Sequence, residues 1–510
     1  SMIRDTGNLA STHKFAHVFV NGDDWGIMNI EEHVSKEFLE KQNRKNSIIV
    51  RFSNEDIWLY SRKSKNPYDG YRPSSPTLFS HLYNKKSLKD VQNRKAYSYI
   101  LNNRLSNDKS IYDINSFSKA LIMSLVWNDT HTLDDSNSRY YFNPYTLKLE
   151  PITTDQGRWN KLQDNTFPSI YGNYDGILSN QHFLDNLPMN LEKVRKTVSN
   201  MNKHLSYPQS LFPVDGKKST KVIESNMKKI LNNKEKYLIS PIMAHSLKNK
   251  LNGKSALVKQ PILPTKQQAS EFKKHLHIKH YTNGNLELYN LLTDNVTVRG
   301  VLFNGKSITD KEIVIPSYLS SPNPTIIKTQ HQGIQDNMFT VKTRYQDFDR
   351  TIKNNITLVS SGIKNPLLLN TAHEFDFINK LGSKAYEIKQ GNWIVDKPII
   401  IEGDLHIFPG VNLQFSNDSY LIVKGSLTAI GDKVRPINLR PVLDSWKGIY
   451  VLNSIKKSQL KNVHISNISA LEDELLKLTG GITFYKSDVD FENVRINDVK
   501  AEDAINIIES

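Results

Sequence analysis

The sequence predicts a mixed α+β and β chain: an α+β domain at the N-terminus, a β-sandwich in the middle and a right-handed parallel β-helix at the C-terminus. Three observations carry this reading. Apolar residues recur at helical spacing between Val91 and Tyr237, after a start richer in strand-like segments. From Ile278 onward, short alternating strands are separated by Gly, Asn and Pro. From about Ala385 the pattern changes to short apolar triplets divided by Gly and Asn, the pattern of stacked coils.

At 510 residues the chain has room for about three domains. Its 38% hydrophobic and 23% charged content is that of a soluble protein with several cores. The net charge of +15 would suit nucleic acid, an anionic membrane, an acidic polysaccharide or an acidic protein. The lysines are scattered, with only short groups such as Lys217-Lys218 and Lys228-Lys229, so a solvated surface accounts for them and no specific nucleic-acid partner is expected. With no cysteine, thiolate zinc sites, disulfides and cysteine nucleophiles are excluded. No run of 18 apolar residues exists, so no helical membrane span is expected. The leading Ser1-Met2 reads as a fragment start, and the lack of a signal peptide does not argue against secretion.

In chain order, Phe15 to Leu39 predicts a hairpin turning at Asn21-Gly22 and a helix beginning near Glu31. A strand follows at Ile48 to Phe52, then the aromatic patch Trp58-Leu59-Tyr60. Residues 61–90, rich in Ser, Asn, Pro and Lys, read as an exposed insertion with a turn at Tyr68-Asp69-Gly70. Helices are expected at Val91 to Leu105 and Ile114 to Trp127. After a loop-like stretch from Gly157 to Gly176, further helices are expected at Gln181 to Leu187, Leu191 to Leu205 and Lys221 to Tyr237.

The chemistry concentrates between Phe117 and Trp159. The apolar helix stops at Asn128-Asp129, Ser138 to Phe142 reads as a strand turning at Asn143-Pro144, and the chain returns from Leu147 to Ile152 and reaches Asp155-Gln156-Gly157. A hairpin would let Asp129, Asn137 and Asp155 gather near one end, where hard oxygen donors suit magnesium. The order Asp, Asn, then Asp followed by Gly is the logic of a kinase site: one Asp orients the acceptor hydroxyl, and the Asn and second Asp hold metal. Asn137 follows Asp129 by eight positions (137 − 129), whereas the ordinary catalytic loop uses five. Asp and Asn also dominate plain turns, so spacing alone leaves a turn-only reading open. His131 sits in the same stretch as a proton carrier or a solvated loop residue.

The stretches FAHVFVNGDDWGIMNIEEHVSKEFL, WND, NSRYYFNP and KLEPITTDQG together resemble the CotH kinase-like family, the spore-coat protein H group of atypical kinases. The resemblance covers roughly residues 8–240. It implies a protein-kinase-like fold with Mg and ATP as cofactors and protein Ser/Thr as acceptor. Carried over by position, it implies that Glu32 pairs with a phosphate-binding cation, Asp129 is catalytic, and Asp155 and Asn137 hold the metal. Asp134 and Asp135 lie in the same loop as Asn137. The family has strands and a lysine upstream of the Asn-Gly hairpin, and this chain reaches that hairpin within twenty residues, so the small lobe reads as incomplete and the nucleotide-binding lysine is unassigned. Arg51 is a candidate cation, or simply a surface arginine at a strand end.

Beyond residue 240, a polar linker spans 241–258, and Pro261 and Pro264 punctuate a boundary. The β-sandwich would occupy 259–384 as a spacer or binding module, and the β-helix 385–510. An internal repeat supports the latter: Gly448-Ile449 with Asn462-Val463-His464-Ile465 matches Gly481-Ile482 with Asn493-Val494-Arg495-Ile496. Asn462 and Asn493 read as ladder residues at coil corners. Asp488, Asp490, Glu492 and Asp498 alternate like a solvent-facing row, with polysaccharide cleavage as the rival reading. The terminal triplet around Ile505 has no polar cap, so the coil stack is expected to continue. The functional expectation is a kinase-like protein of the bacterial cell surface or exterior, with possible surface polysaccharide bound through the β-helix. A catalytically inactive envelope or adhesion protein, and a carbohydrate-binding or carbohydrate-cleaving β-helix protein, are the alternatives.

Overall fold

The structure is a computed structural model. It describes residues 2–52, 80–82, 85–103, 110–129, 131–133, 138–153, 160–162, 181–204, 210, 216–239, 276–290, 295–316, 324–331, 339–345, 348–352, 356–360 and 362–510. The chain divides into two compact units, one of residues 1–142 and 148–362, the other of residues 143–147 and 363–510.

In the first unit a short helix α1 (Met2–Asp5) leads to the antiparallel hairpin of β1 (His13–Val20) and β2 (Asp23–Glu31). Its turn is Asn21-Gly22, both at positive φ (54° and 92°), as a tight two-residue hairpin turn requires. The helix expected near Glu31 begins later. Because β1 extends back to His13, it keeps pairing with β2 as far as Glu31, and α2 (Lys36–Glu40) starts only where Ser35 caps it by accepting from the Phe38 amide at 3.4 Å. β3 (Ile49–Phe52), β4 (Ser80–Leu82), β5 (Arg139–Asn143) and β6 (Lys148–Ile152) form one sheet in the order β4-β3-β5-β6. Leu9, Phe38, Leu39, Ile49, Tyr141 and Ile152 pack into a core between this sheet and the chain before it.

The helices are α3 (Val91–Asn103), α4 (Ile114–Trp127), α5 (Gln181–Ser199) and α6 (Gly216–Asn232). Two helices were expected where α5 runs unbroken through Pro188. Proline removes one backbone bond, but Phe183, Leu187, Leu191, Val194 and Val198 form a continuous buried stripe across it, and that burial offsets the loss. α4 is the most apolar of the helices and is buried along nearly its whole length. The aromatic patch at Trp58, the insertion turn at Tyr68 and, apart from residues 160–162, the Gly157 to Gly176 loop lie outside the described residues.

Two further sheets are described in this unit. One has the order β12 (Thr325–Lys328), β8 (Asn285–Asn290), β7 (Leu276–Tyr281), β15 (Ile356–Val359). The other has the order β10 (Lys306–Thr309), β9 (Val296–Phe303), β13 (Phe339–Tyr345), β14 (Phe348–Ile352), with β11 (Ile313–Ile315) also on β9. Ile278 and Leu288 of the first meet Val298, Phe339 and Val341 of the second in one apolar core, as their alternation predicts.

The second unit is built from parallel pairs. β17 (Ala385–Ile388), β20 (Asp404–Ile407), β23 (Leu427–Ile430), β26 (Ser458–Ser466) and β30 (Val489–Asn497) follow one another in one ladder. β18 (Asn392–Val395), β21 (Asn412–Phe415) and β24 (Ile437–Pro441) form a second ladder that joins the first at β26. β19 (Ile399–Ile401), β22 (Leu421–Val423), β25 (Ile449–Leu452), β29 (Gly480–Tyr485) and β31 (Asp503–Ile508) form a third. β16 (Ile378–Lys380) pairs antiparallel with β17 at the start of the stack. The internal repeat falls in register, Ile449 opposite Ile482 and Val463 opposite Val494. Gly448 belongs to it for a steric reason: a Cβ there would lie 1.9 Å from the Gly481 carbonyl oxygen. Residues 143–147 group with this unit through Tyr145, which stacks on Tyr485 at 4.9 Å.

Candidate active site

Asp129 owes its position to the way α4 ends. Asp113 caps the start, accepting from the Ser116 amide at 2.8 Å, and Asn128 closes the last turn in the left-handed conformation (φ 51°, ψ 43°). Asparagine tolerates that conformation and reverses the chain without a glycine. The Asp129 amide then donates to the Ser124 carbonyl at 2.8 Å, and its side chain is buried, 7% exposed.

Asn137 and Asp155 lie outside the described residues, and so do Asp134 and Asp135. Their flanks are described. Ser138, directly after Asn137, is buried and donates from Oγ to the Thr132 carbonyl at 2.9 Å, closing the neck of the loop between them. Thr153, two residues before Asp155, is buried, and its amide donates to the Leu9 carbonyl at 3.3 Å. Leu9 also bridges Ile152 in parallel. Beyond Asp155, the Asn160 amide donates to the Trp127 carbonyl (3.3 Å) and Asn128 Nδ2 to the Lys161 carbonyl (3.2 Å). The chain on the far side of Asp155 thus returns to the end of α4, one residue from Asp129.

Glu32 follows β2 rather than sitting in a helix. Its Oε1 meets Lys41 Nζ at 2.6 Å and its Oε2 accepts from the Thr12 amide at 3.3 Å. The Lys41 ammonium holds the Glu32 carboxyl below its ordinary range. Glu32 therefore has a cationic partner, a lysine nine positions later in the chain (41 − 32). Arg51, the other candidate cation, lies in β3 opposite His81.

Three features escaped the sequence reading. Lys41 is one. A second is the buried ion pair of Arg44 Nε with Glu150 Oε2 at 3.0 Å, which joins the chain after α2 to β6, the strand leading to Asp155. Nothing in the local pattern marks either partner. The third is Asn226 on α6, fully buried and bonded to the chain on both sides of the Asp129 turn. It did carry a signal, because it occupies an apolar phase of the helix with Val222, Ile223, Met227 and Ile230. Among the described residues no cluster of three or more His, Cys, Asp or Glu could hold a metal ion, and no helix is long and apolar enough to cross a membrane.

Asp129 thus sits buried at the end of α4, and residues 160–162 are bonded back to that helix end. Residues 1–121 match the family model described as CotH kinase protein, so the N-terminal part of the chain is CotH-like. The match includes Glu32 and stops within α4, before Asp129, Asn137 and Asp155. No curated protein matches the chain.

Proposed function

We propose that this chain is an atypical Mg/ATP-dependent kinase-like protein of the bacterial cell surface that phosphorylates Ser or Thr of a protein. The observation that carries the reading is the CotH match together with Asp129 at the left-handed end of α4. Magnesium and ATP would supply the transferable phosphoryl group and its charge neutralisation. The donor types fit: Asp155 and Asn137 offer the hard oxygens magnesium prefers, and Glu32 with Lys41 forms a carboxylate–ammonium pair of the kind that steadies a phosphate-binding cation. Asp129 would orient the acceptor hydroxyl and take its proton on the carboxylate.

The division we adopt is a kinase-like domain over 1–240, a linker over 241–258, a β-sandwich over 259–384 and a parallel β-helix over 385–510. Two sheets with one core support the sandwich, and three parallel ladders with a shared core support the β-helix. The β-helix would display the protein or bind surface polysaccharide. Its acidic row reads as structural rather than catalytic, since Asp490 pairs with Lys457 and Glu492 with Lys461, each at 2.7 Å, across adjacent turns.

A second reading, a catalytically inactive envelope or adhesion protein, draws on the Lys41 side chain being 68% exposed, more like a surface ion-pair partner than a phosphate clamp. Calorimetric titration of Mg-ATP into wild type and Asp155→Ala separates the two. The kinase reading expects binding in wild type that needs the metal and is lost in the variant. Phosphorylation of a generic protein acceptor should fall about a hundredfold or more in Asp129→Asn, the scale of a lost general base. Full Mg-ATP binding by Asp155→Ala would remove the metal assignment, and no binding by folded wild type would favour the inactive protein.

A further inference from the structure

The end of α4 leaves backbone carbonyls with no intrahelical partner, and Asn226 takes one of them. Its Nδ2 donates to the Val126 carbonyl at 2.9 Å and to the Asn160 carbonyl at 2.8 Å, while its Oδ1 accepts from the Leu162 amide at 2.7 Å. Three residues along the same helix, Lys229 Nζ donates to the Leu162 carbonyl at 2.8 Å. The Asn128–Lys161 and Asn160–Trp127 bonds close the same clasp directly. A side chain with no solvent exposure that uses both N–H groups and an acceptor on two separate stretches of backbone holds those stretches at a set spacing. One stretch leads into Asp129, and the other leads out of the segment that contains Asp155.

We infer that Asn226 is a positioning residue for the phosphoryl-transfer site: from α6 it sets the separation between the Asp129 turn and the chain beyond Asp155 through its bonds to Val126, Asn160 and Leu162. This rests on the kinase reading for its catalytic consequence, but the mechanical part stands on the hydrogen bonds alone. Removing the amide lets residues 126–128 and 160–162 drift. A misplacement of that order at a reacting pair costs turnover, by about a hundredfold, more than it costs nucleotide affinity.

The experiment uses the full chain with Asn226→Ala and the milder Lys229→Met. Hydrogen–deuterium exchange read by mass spectrometry follows peptides covering residues 124–130 and 158–163, alongside kcat and nucleotide KM. The expected result is faster exchange in both peptides, a fall of about tenfold to a hundredfold in kcat and a KM within about threefold of wild type, with Lys229→Met showing the same pattern more weakly. Should Asn226→Ala fail to fold, Lys229→Met decides on the same readouts. Unchanged exchange in both peptides overturns the proposal whatever the activity, and so does faster exchange with unchanged kcat. If wild type binds no Mg-ATP, the kinase reading fails, and exchange alone then decides whether Asn226 holds the two stretches.

Discussion

In the C-terminal ladders, Ile399 pairs with Leu421, Leu421 with Ile449, Ile449 with Ile482 and Ile482 with Ile505, each one turn further on. In the first unit the decisive contacts join residues far apart in the chain: Asn226 and Val126 are 100 positions apart, Arg44 and Glu150 106. The first arrangement repeats one local solution, so each turn needs only its neighbours. The second depends on unique long-range partners, none of which can substitute for another. A substitution in the stack should therefore be felt by adjacent turns, and one near the site by the whole unit.

Arg44→Ala tests the second half of that contrast. It removes the guanidinium from Glu150, which is 3% exposed, and breaking a buried pair in this way costs about 3–5 kcal/mol. Chemical denaturation should show the loss, and hydrogen exchange should show it spread across β3, β5 and β6. A loss under about 1 kcal/mol would mean the pair is as replaceable as a surface one.

Asn462→Ala tests the first half. Asn462 sits at φ 49°, donates to the Gly431 carbonyl at 2.9 Å and accepts from Asn493 Nδ2 at 2.5 Å. Losing those bonds and placing alanine in the left-handed region should cost about 2–3 kcal/mol. Increased exchange confined to the turns carrying Gly431 and Asn493 is the expected pattern, and increases reaching β17 would break the comparison.

Lys41→Met is the gentlest change, expected to cost under about 1 kcal/mol because the ammonium is exposed. Glu32 is held below its ordinary range in the folded chain, so its contribution is present above the unfolded carboxylate value and fades as pH falls through the folded one. Wild type should lose that increment on acidification, and Lys41→Met should lose less of it. Identical acid profiles would show that the Glu32–Lys41 pair adds nothing measurable.

Helices, hairpin turn, strand alternation and the 31- to 33-residue repeat were legible because each is a local pattern: 3.6-residue stripes, Asn-Gly at positive φ, period-two burial and Asn at tight corners. The stop of α4 at Asn128 belongs with these, since asparagine is the residue that turns left-handed there. The late start of α2 was not legible, because β2 ends where β1 ceases to pair with it, and strand pairing is a property of two segments. The same holds for Lys41 beside Glu32, for Arg44 against Glu150 and for Asn226 across the two stretches near Asp129. Periodicity along the chain is set by each residue's own side chain, and so it can be read in order. Which distant carbonyl or carboxylate a buried amide or guanidinium meets is decided only when the helices and sheet pack, because that packing removes water and makes one pairing necessary.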